Sequence, residues 1–412
     1  MVLKQVLAQV LDDQQNMLLR RYEDAMPRSF SSEFKPALSH IEVVSGVRRC
    51  GKSTLMGMIR KANFPDSIYI NFEDSRLFDF EAGDFQKLDE IVPKQTQTWF
   101  FDEIQNITGW ELFVRQLYDR GCKIFITGSN ASLLSTELGT RLTGRYIRHD
   151  LYPFSYSEFI SFAGLNPSAD SFDAYLETGG LPEFITQKDP AVLQNLFKDI
   201  LLRDIAIRHG IRNTQVLMEM ALFLITNTGK ETTYNSLKKQ FGMGAANTAS
   251  DYLHRMEESW LFSQLQRFSW SAKTRTANPR KIYAIDTGLI RANSLSFSAD
   301  RARRLENAVY LHLRRSAGAG PTQIYYFREK QECDFVVFEK GSCTSAIQAC
   351  EELTPDNLKR ETGGLIEALN YFGLQEGLII TRNQAETLST EGKTIRLIPA
   401  NRLMHDTSPD QG

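Results

Sequence analysis

The segment Gly46–Ser53 constrains the fold more than any other part of this chain. It reads Gly-Val-Arg-Arg-Cys-Gly-Lys-Ser and matches the pattern G-x-x-x-x-G-K-[ST] in full. An apolar, β-rich run precedes it at 41–46, and a helical stretch follows it. The two glycines let the backbone curl so that successive N–H groups, and the positive end of the helix, point at one polyphosphate. The sequence therefore predicts a strand, a phosphate-binding loop and a helix in succession.

The residues of this loop are expected to hold ATP and Mg²⁺ together. Lys52 can reach the β- and γ-phosphates, the Ser53 hydroxyl is placed to ligate Mg²⁺, and Thr54 is expected nearer the α-phosphate. The predicted nucleotide contacts are Gly46, Val47, Arg48, Arg49, Cys50, Gly51, Lys52, Ser53, Thr54 and Ser129.

Two acids follow a second apolar run, in which TWFF leads directly into Asp102 and Glu103. Open parallel sheets bind their ligands at the carboxyl ends of the strands, which is where these carboxylates fall. We expect Asp102 to hold Mg²⁺ and Glu103 to orient or deprotonate the attacking water. The alternative is an ordinary acidic strand end.

A third polar strand end is Thr127-Gly128-Ser129-Asn130. A polar side chain there can hydrogen-bond the γ-phosphate or the water, although a simple turn would have the same composition. Strand candidates at 41–46, 67–74, 98–104 and 123–130 alternate with helical stretches, which predicts an α/β fold around a parallel sheet.

Five segments together resemble the AAA+ type of P-loop ATPase, and in particular AAA_14-like proteins that carry a DUF4143 domain. They are SGVRRCGKST, FFDEIQNITGW, ITGSNASLL, RLTGRYIRHDLYPFSYSEF and GGLPE. The resemblance covers most of the chain and is strongest over 41–185.

This resemblance implies further roles. Ser129 or Asn130 would be the sensor at the γ-phosphate, and Arg141 or Arg145 an arginine finger or sensor arginine, with a surface ion pair as the alternative. A finger that acts on a neighbouring copy requires self-association. GGLPE would be a lid turn near the nucleotide, or a plain interdomain loop.

The middle of the chain predicts a winged helix, because two helical segments (232–242 and 245–260) precede two β-rich runs (261–268 and 281–286). Asn247, Thr248 and Ser250 would meet base edges. The loop between the runs has no acid from 267 to 281, so its cations are candidates for DNA phosphates: Arg267, Lys273, Arg275, Arg280 and Lys281. Phe268 and Trp270 lie among them and could stack on bases. Packing against the ATPase or against another protein is the alternative.

The last part of the chain resembles a PD-(D/E)xK nuclease in outline. Glu306 falls on a predicted helix and Asp334 opens a predicted strand, but the third motif reads Gln348-Ala349-Cys350. An amide replaces the acid and a thiol replaces the lysine, so we expect a nuclease-like fold without cleavage. The predicted domains are residues 1–190 (ATPase with lid), 191–292 (winged helix) and 293–412 (nuclease-like).

Composition narrows the class of protein. The 412 residues carry a net charge of −2, with 42% hydrophobic and 24% charged residues, as in globular proteins. No run approaches the roughly 18 to 20 apolar residues of a membrane span. The five cysteines form no CxxC pair, which argues against zinc and suits a reducing compartment. We expect a cytoplasmic protein that does not enter membranes.

The favoured function is a Mg-dependent ATPase that couples hydrolysis to a change of shape or assembly, possibly on DNA. Its catalytic residues would be Lys52, Glu103, Asn130 and Arg145. The alternatives are a nucleotide-gated switch with little turnover, a nuclease-associated ATPase, and, less favoured, a phosphotransferase.

Overall fold

The computed structural model describes residues 1–21, 26–28, 40–129, 142, 144–295, 301–318 and 320–405. The chain forms two compact units, Met1–Leu151 and Tyr152–Gly412. The finer division into three domains, with boundaries after residues 190 and 292, stays a prediction. Within the described residues, no helix combines the length and the apolar character that crossing a membrane requires.

The first unit is built on a five-stranded sheet in the order β2-β3-β4-β1-β5, in which all neighbouring strands are parallel. The strands are β1 (Ile41–Ser45), β2 (Ile68–Asn71), β3 (Thr98–Asp102), β4 (Lys123–Gly128) and β5 (Tyr146–Asp150). Every residue of β1 and β4 is buried. This explains their continuous apolar runs, because helices cover both faces of such a sheet. The predicted parallel α/β sheet is confirmed.

Among the described residues, this sheet is accompanied by the helices α1 (Lys4–Arg21), α2 (Lys52–Asn63), α3 (Asp84–Ile91) and α4 (Trp110–Asp119). Single 3₁₀ turns lie at Ser75–Leu77 and Ile104–Asn106. The core places strand residues such as Phe101 and Ile126 against helix residues such as Leu88 and Trp110.

Strand β5 was not among the predicted strands. Its sequence, Tyr-Ile-Arg-His-Asp, has one strongly apolar residue, and none of its five positions is fully buried. It pairs with β1 alone, at the edge of the sheet. An edge strand of this kind carries little apolar periodicity, so the sequence pattern does not reveal it.

The second unit begins with helices. These are α5 (Tyr156–Ala163), α6 (Ala169–Thr178), α7 (Pro182–Gln187), α8 (Pro190–Asp199) and α9 (Thr214–Thr226). Serines at positions 155 and 168 form capping boxes that start α5 and α6. Helix α8 runs on into π-helical turns at Ile200–Ile207.

A small antiparallel sheet follows, in the order β6-β8-β7. Its strands are β6 (Glu231–Thr232), β7 (Phe262–Gln266) and β8 (Arg280–Ala284). Helices α10 (Tyr234–Gln240) and α11 (Ala246–Glu258) lie between β6 and β7 in the chain, and α12 (Ala272–Ala277) lies between β7 and β8. The two predicted helices and the two β-rich runs are present, whereas β6 and α12 were not predicted.

The remaining chain contains a six-stranded sheet in the order β13-β14-β12-β11-β10-β9. Its strands are β9 (Gln323–Arg328), β10 (Glu332–Glu339), β11 (Ser342–Ala349), β12 (Glu376–Thr381), β13 (Glu386–Thr390) and β14 (Lys393–Pro399). Helices α13 (Thr287–Asn293) and α14 (Arg301–Ala317) precede this sheet in the chain. Helix α15 (Leu358–Phe372) lies between β11 and β12, and α16 (Ala400–His405) follows β14. Leu365 and Leu369 of α15 join Val336 and Ile379 of the strands in one core.

Candidate functional site

The loop between β1 and α2 depends on glycine at both ends. A Cβ atom at Gly46 would lie 2.1 Å from the Leu151 carbonyl oxygen, so no larger residue fits without displacing that backbone. Gly51 caps α2 with φ 101°, a left-handed value that favours glycine. The loop thus begins where β1 ends and closes at the first turn of α2.

The Lys52 ammonium is buried inside this loop. It donates to the carbonyl oxygens of Gly46 and Val47 at 3.1 and 3.2 Å, and to the Ser129 hydroxyl at 3.3 Å. It also lies 3.3 Å from Oε1 of Glu103. Burial lowers the pKa of Lys52, but Glu103, Cys50 and Asp102 together outweigh it and raise that pKa above its ordinary value. Lys52 is therefore a fixed positive charge at the centre of the loop.

Asp102 ends β3 with its carboxylate fully buried among hydroxyl and amide donors. Tyr69 donates to Oδ2 at 2.6 Å and Asn71 at 3.2 Å, and Thr127 donates to Oδ1. The Ser53 hydroxyl also hydrogen-bonds this carboxylate. Burial raises the pKa of Asp102 above its usual range. Two candidate Mg²⁺ ligands, Ser53 and Asp102, therefore meet at one point.

Glu103 follows in a left-handed conformation, with φ 53°. This turn directs its carboxylate at the phosphate loop, where the Ser129 hydroxyl donates to it at 2.7 Å and the Ser129 N–H at 3.3 Å. Gln105 donates to Oε2. Burial raises the pKa of Glu103, but Lys52, Ser129 and Gln105 together hold it below its ordinary value. Glu103 is thus a carboxylate that stays ionised.

The other predicted loop residues occupy distinct positions. Val47 and Cys50 are buried, Arg49 is exposed, and Ser53 and Thr54 are half-buried. The Arg48 guanidinium forms an ion pair with Glu73 at 2.8 Å. Burial raises the pKa of the Cys50 thiol, which makes it a packing group and not a nucleophile.

Arg145 lies away from this cluster. It directly precedes β5, whose Tyr146 is paired with Ile41 at the start of β1. The phosphate loop follows the other end of β1, about 13 Å further along at about 3.3 Å per residue. The guanidinium of Arg145 stacks over the Tyr118 ring at 5.7 Å. Arg145 therefore does not join the phosphate loop of its own chain. Asn130 and Arg141 lie outside the described residues.

Four contacts of the site were not among the predicted site residues. Tyr69 and Asn71 hold Asp102, and Gln105 holds Glu103. Asn71 is the last residue of β2, so the strand-end argument that found Asp102 could have found it as well. Arg28 donates to the Cys50 carbonyl at 3.0 Å, and nothing in its Ser/Pro-rich surroundings signals that contact.

The predicted basic loop needs a correction at two positions. Arg280 and Lys281 are buried on β8 and are not available to DNA phosphates. Arg280 donates to the Tyr234 hydroxyl at 2.5 Å and to Gln264 at 2.9 Å. Lys281 is enclosed by carboxylates. All five residues of β8, the central strand of its sheet, are buried, so both of its faces are covered.

The other basic residues of that loop and Trp270 are accessible. Lys273 is exposed, Arg267 and Arg275 are half-buried, and Trp270 exposes 66% of its surface. On α11, Asn247 is exposed, and Thr248 and Ser250 are half-buried. Phe268, which was predicted to stack on bases, is instead buried and stacks on Phe338 at 4.8 Å between ring centroids. The predicted DNA-contacting residues other than Phe268, Arg280 and Lys281 keep surface contact with solvent.

The GGLPE segment packs onto Asp286. The Gly180 N–H donates to Oδ2 of Asp286 at 2.6 Å, and a Cβ atom at Gly179 would lie 2.1 Å from Oδ1. A Cβ atom at Gly180 would lie 2.2 Å from the Phe154 carbonyl oxygen, so both glycines are needed for close approach within the second unit. The lid role of this segment stays a prediction.

Comparison with known proteins places the phosphate-loop unit in a family. The model of an AAA domain matches residues 39–160. An uncharacterised protein of Methanocaldococcus jannaschii, MJ1544, is 35% identical over 365 residues, which is 83% of this chain and 81% of that protein. The chain belongs to this family of AAA-domain P-loop proteins.

The chain is similar to a second relative over a comparable length. An uncharacterised protein of Haemophilus influenzae is 31% identical over 378 residues, 85% of this chain and 91% of that protein. Residues 169–300 match a domain of unknown function, DUF8612, whereas the sequence had predicted a DUF4143 domain at residues 293–412.

Two solved structures show weak similarity. AMPPCP-bound DnaA of Aquifex aeolicus is 14% identical with a TM-score of 0.28, over 54% of this chain and 83% of that one. Cdc6p of Pyrobaculum aerophilum is 13% identical with a TM-score of 0.24, over 72% and 94%. TM-scores this low do not establish a common architecture.

Proposed function

We propose that this protein is a Mg-dependent ATPase of the AAA+ type, which couples hydrolysis to a change of conformation or assembly. The observation that carries the proposal is the meeting of Lys52, Asp102 and Glu103 at the carboxyl ends of β1 and β3, with Ser129 at the end of β4 between them. A backbone loop with glycine at both ends, a buried cation and two acids of different pKa form the set that triphosphate hydrolysis requires.

The donor set suits magnesium. The Ser53 hydroxyl and the Asp102 carboxylate are oxygen donors in hydrogen-bond contact, and Mg²⁺ prefers oxygen ligands. Bound there, it would supply charge neutralisation to the phosphates. Tyr69, Asn71 and Thr127 hold the Asp102 carboxylate in place, so these two ligands need little rearrangement to receive the ion.

Glu103 is the group that would accept a proton from the attacking water. In the structure its carboxylate contacts Lys52 and the Ser129 hydroxyl. A γ-phosphate would compete for the same two partners, because the Lys52 ammonium and the Ser129 hydroxyl are also phosphate donors. Nucleotide binding would thereby release Glu103 toward the water.

Phosphate release tests this proposal. We expect ATP hydrolysis by the wild type, loss of nucleotide binding in Lys52→Ala, and retained binding with hydrolysis lower by about 10²-fold or more in Glu103→Gln. Lys94→Ala and Glu81→Gln are matched controls, because both residues are exposed in the same unit. Equal phosphate release by the wild type and both site variants would show contamination and overturn the proposal.

A switch with little turnover is the alternative that uses the same residues. It predicts tight nucleotide binding to the wild type with phosphate release no faster than that of Glu103→Gln. Measurement of both quantities on the same preparation therefore separates the two functions.

We further infer that α10, α11 and the sheet β6-β8-β7 form a winged helix that contacts DNA. The support is a helix pair followed by an antiparallel hairpin, with Trp270 and Lys273 exposed in the segment between its strands. Exposed aromatic rings stack on bases, and cations meet phosphates.

Fluorescence anisotropy with labelled single-stranded and duplex DNA checks this inference. The double variant Trp270→Ala/Lys273→Ala should bind about tenfold or more weakly at low salt. Lys340→Ala, an exposed lysine of the other sheet, is the control. No salt-sensitive binding by the wild type would dismiss DNA as the partner.

A further inference from the structure

Gln105 lies two residues after Glu103 on a turn that the core holds in place. The 3₁₀ turn Ile104–Asn106 begins directly after Glu103, whose backbone is left-handed. Ile104 and Ile107, on either side of Gln105, are buried in the core of the first unit. Because both of these side chains are anchored, the turn keeps the half-buried Gln105 side chain beside the Glu103 carboxylate.

The chemistry of Glu103 allows the Gln105 amide only one orientation. Nε2 of Gln105 donates to Oε2 of Glu103. Burial raises the pKa of Glu103, but Lys52, Ser129 and this amide hold it at about 2, so the carboxylate is ionised. An ionised carboxylate only accepts hydrogen bonds, and the amide must therefore present its NH₂ group to it. The carbonyl oxygen of the amide points away from that contact.

This carbonyl oxygen is an unsatisfied acceptor. Oε1 of Gln105 is buried, and no donor among the residues that the structure describes hydrogen-bonds it. A buried polar atom without a partner costs about 1–3 kcal/mol, and such atoms are rare in folded proteins. The amide therefore has an acceptor to offer, next to the group that is expected to take a proton from water.

Glu103 and Gln105 can together hold one water molecule. The oxygen and nitrogen of an amide are about 2.2 Å apart, so Oε1 of Gln105 lies within about 5 Å of the Glu103 oxygen that Nε2 contacts. One water can bridge two acceptors up to about 5.5 Å apart, because each O–H···O bond spans about 2.7–2.8 Å. A water whose two hydrogens are both held has its lone pairs directed elsewhere, which is the geometry that attack on a phosphorus atom requires.

We propose that Gln105 is the positioning residue for the attacking water, with Oε1 accepting one hydrogen of that water while Glu103 accepts the other. The assignment rests on the proposed ATPase function. The water oxygen bonds to the γ-phosphorus, the bond from that phosphorus to the β,γ-bridging oxygen breaks with its electron pair left on ADP, and the proton goes to Glu103. Nucleotide binding draws Lys52 and Ser129 to the γ-phosphate, whereas Nε2 of Gln105 continues to hold the Glu103 carboxylate.

The variant Gln105→Met tests this role, because it keeps the length of the side chain and removes both polar atoms. Phosphate release and ATP binding are measured on the same preparations. We expect kcat to fall about tenfold to a hundredfold while the Kd for ATP stays within about twofold of the wild type, since the water is held for reaction and not for binding. Gln86→Met is the matched control, because Gln86 is an exposed glutamine of the same unit that also donates to a carboxylate, that of Glu90.

The pH dependence of kcat separates positioning from a structural role. Gln105→Met removes a donor that favours the ionised form of Glu103, so the pKa of this base rises and the acid limb of the kcat profile moves to higher pH. Gln105→Glu has nearly the same shape but replaces the donor with a second negative charge, and it should move that limb further. A structural role would lower stability or ATP binding and leave the acid limb where it is.

Failure of this assignment differs from failure of the ATPase function. Wild type that releases no phosphate, or release that survives Glu103→Gln, overturns both. Release that depends on Glu103, together with wild-type kcat and an unmoved acid limb in the Gln105 variants, overturns the role of Gln105 alone. Loss of ATP binding along with turnover in these variants also overturns it. If Gln105→Met does not fold, the nearly isosteric Gln105→Glu decides by the same two measurements.

Discussion

The Lys52 ammonium lies 3.3 Å from the Glu103 carboxylate, so the cation expected to meet phosphate and the base expected to meet water contact each other before either meets a ligand. The Ser129 hydroxyl bridges the pair, with hydrogen bonds to both. The resting site is therefore neutralised internally, and a triphosphate has to displace this contact in order to bind.

Replacement of Ser129 tests the bridge. Ser129→Ala removes a hydrogen bond to a charged group, worth about 1.5–3 kcal/mol, and we expect turnover to fall about tenfold to a hundredfold. The rate of phosphate release at saturating ATP is the measurement. Ser129→Thr keeps the hydroxyl and should recover most of the rate. Wild-type turnover in Ser129→Ala would exclude any role for the bridge.

Gly46→Ala probes the close approach of the phosphate loop to the Leu151 carbonyl. The added Cβ atom would lie 2.1 Å from that oxygen, so the backbone must move. We expect a loss of about 1–3 kcal/mol of unfolding free energy and weaker nucleotide binding. Gly83→Ala is the matched control, because φ is −66° there and no atom lies within 4 Å of the added Cβ. Similar denaturation midpoints for both variants would contradict the expected strain.

Arg145 should matter only between copies of the chain. It lies beside the start of β1, whereas its own phosphate loop follows the other end of that strand, so as an arginine finger it would have to serve a neighbouring copy of the chain. We expect Arg145→Ala to lower turnover about 10³-fold. An equimolar mixture of Arg145→Ala and Glu103→Gln should regain activity, because one interface then contains an intact site and an intact finger.

Arg115→Ala is the control for this experiment, since Arg115 is an exposed arginine of the same unit. A mixture with no more activity than its separate components would remove Arg145 from catalysis. Specific activity of the wild type that does not change with protein concentration would point the same way.

Asp286 should make the second unit more stable in acid than at neutral pH. Burial raises the pKa of Asp286 to about 6, although the Gly180 and Leu289 N–H groups oppose the rise. The folded state therefore binds a proton more tightly than the unfolded state. This contribution is complete below about pH 4 and is lost as the pH rises through 6. The shift of about two pH units corresponds to about 3 kcal/mol.

Comparison with Asp286→Asn isolates this effect from that of other carboxylates. The unfolding free energy of the wild type relative to the variant should fall by about 3 kcal/mol between pH 4 and pH 7. Denaturant titrations at several pH values provide the measurement. A constant difference across that range would mean that Asp286 titrates normally.

The sequence was sufficient for the elements whose apolar runs are continuous. Strands β1 to β4 and the loop Gly46–Ser53 follow from local patterns, since buried parallel strands and glycine turns leave their signature in adjacent residues. The edge strand β5 left no such signature. The contacts of Tyr69 and Gln105 with the acids depend on distant parts of the chain and could not be read locally.

Lys281 is a second case in which a contact between distant parts of the chain could not be predicted from local sequence. Its neighbours Arg275 and Arg280 suggested a basic DNA-binding loop, because charge is visible in sequence and burial is not. In the structure Lys281 instead pairs with Asp334, which lies 53 residues later in the chain. Only the packing of β8 against β10 and α14 brings them together.

Lys281 also limits where this chain can be divided into separate fragments. It belongs to the hairpin by sequence and to the C-terminal sheet by its ion pairs. A C-terminal fragment that begins after residue 292 would contain Glu306, Glu332 and Asp334 without the ammonium that neutralises them. An N-terminal fragment that ends at residue 292 would contain Lys281 without these carboxylates. We therefore expect a chimera between this protein and a relative to fold only when the hairpin that carries Lys281 and the C-terminal sheet come from the same protein.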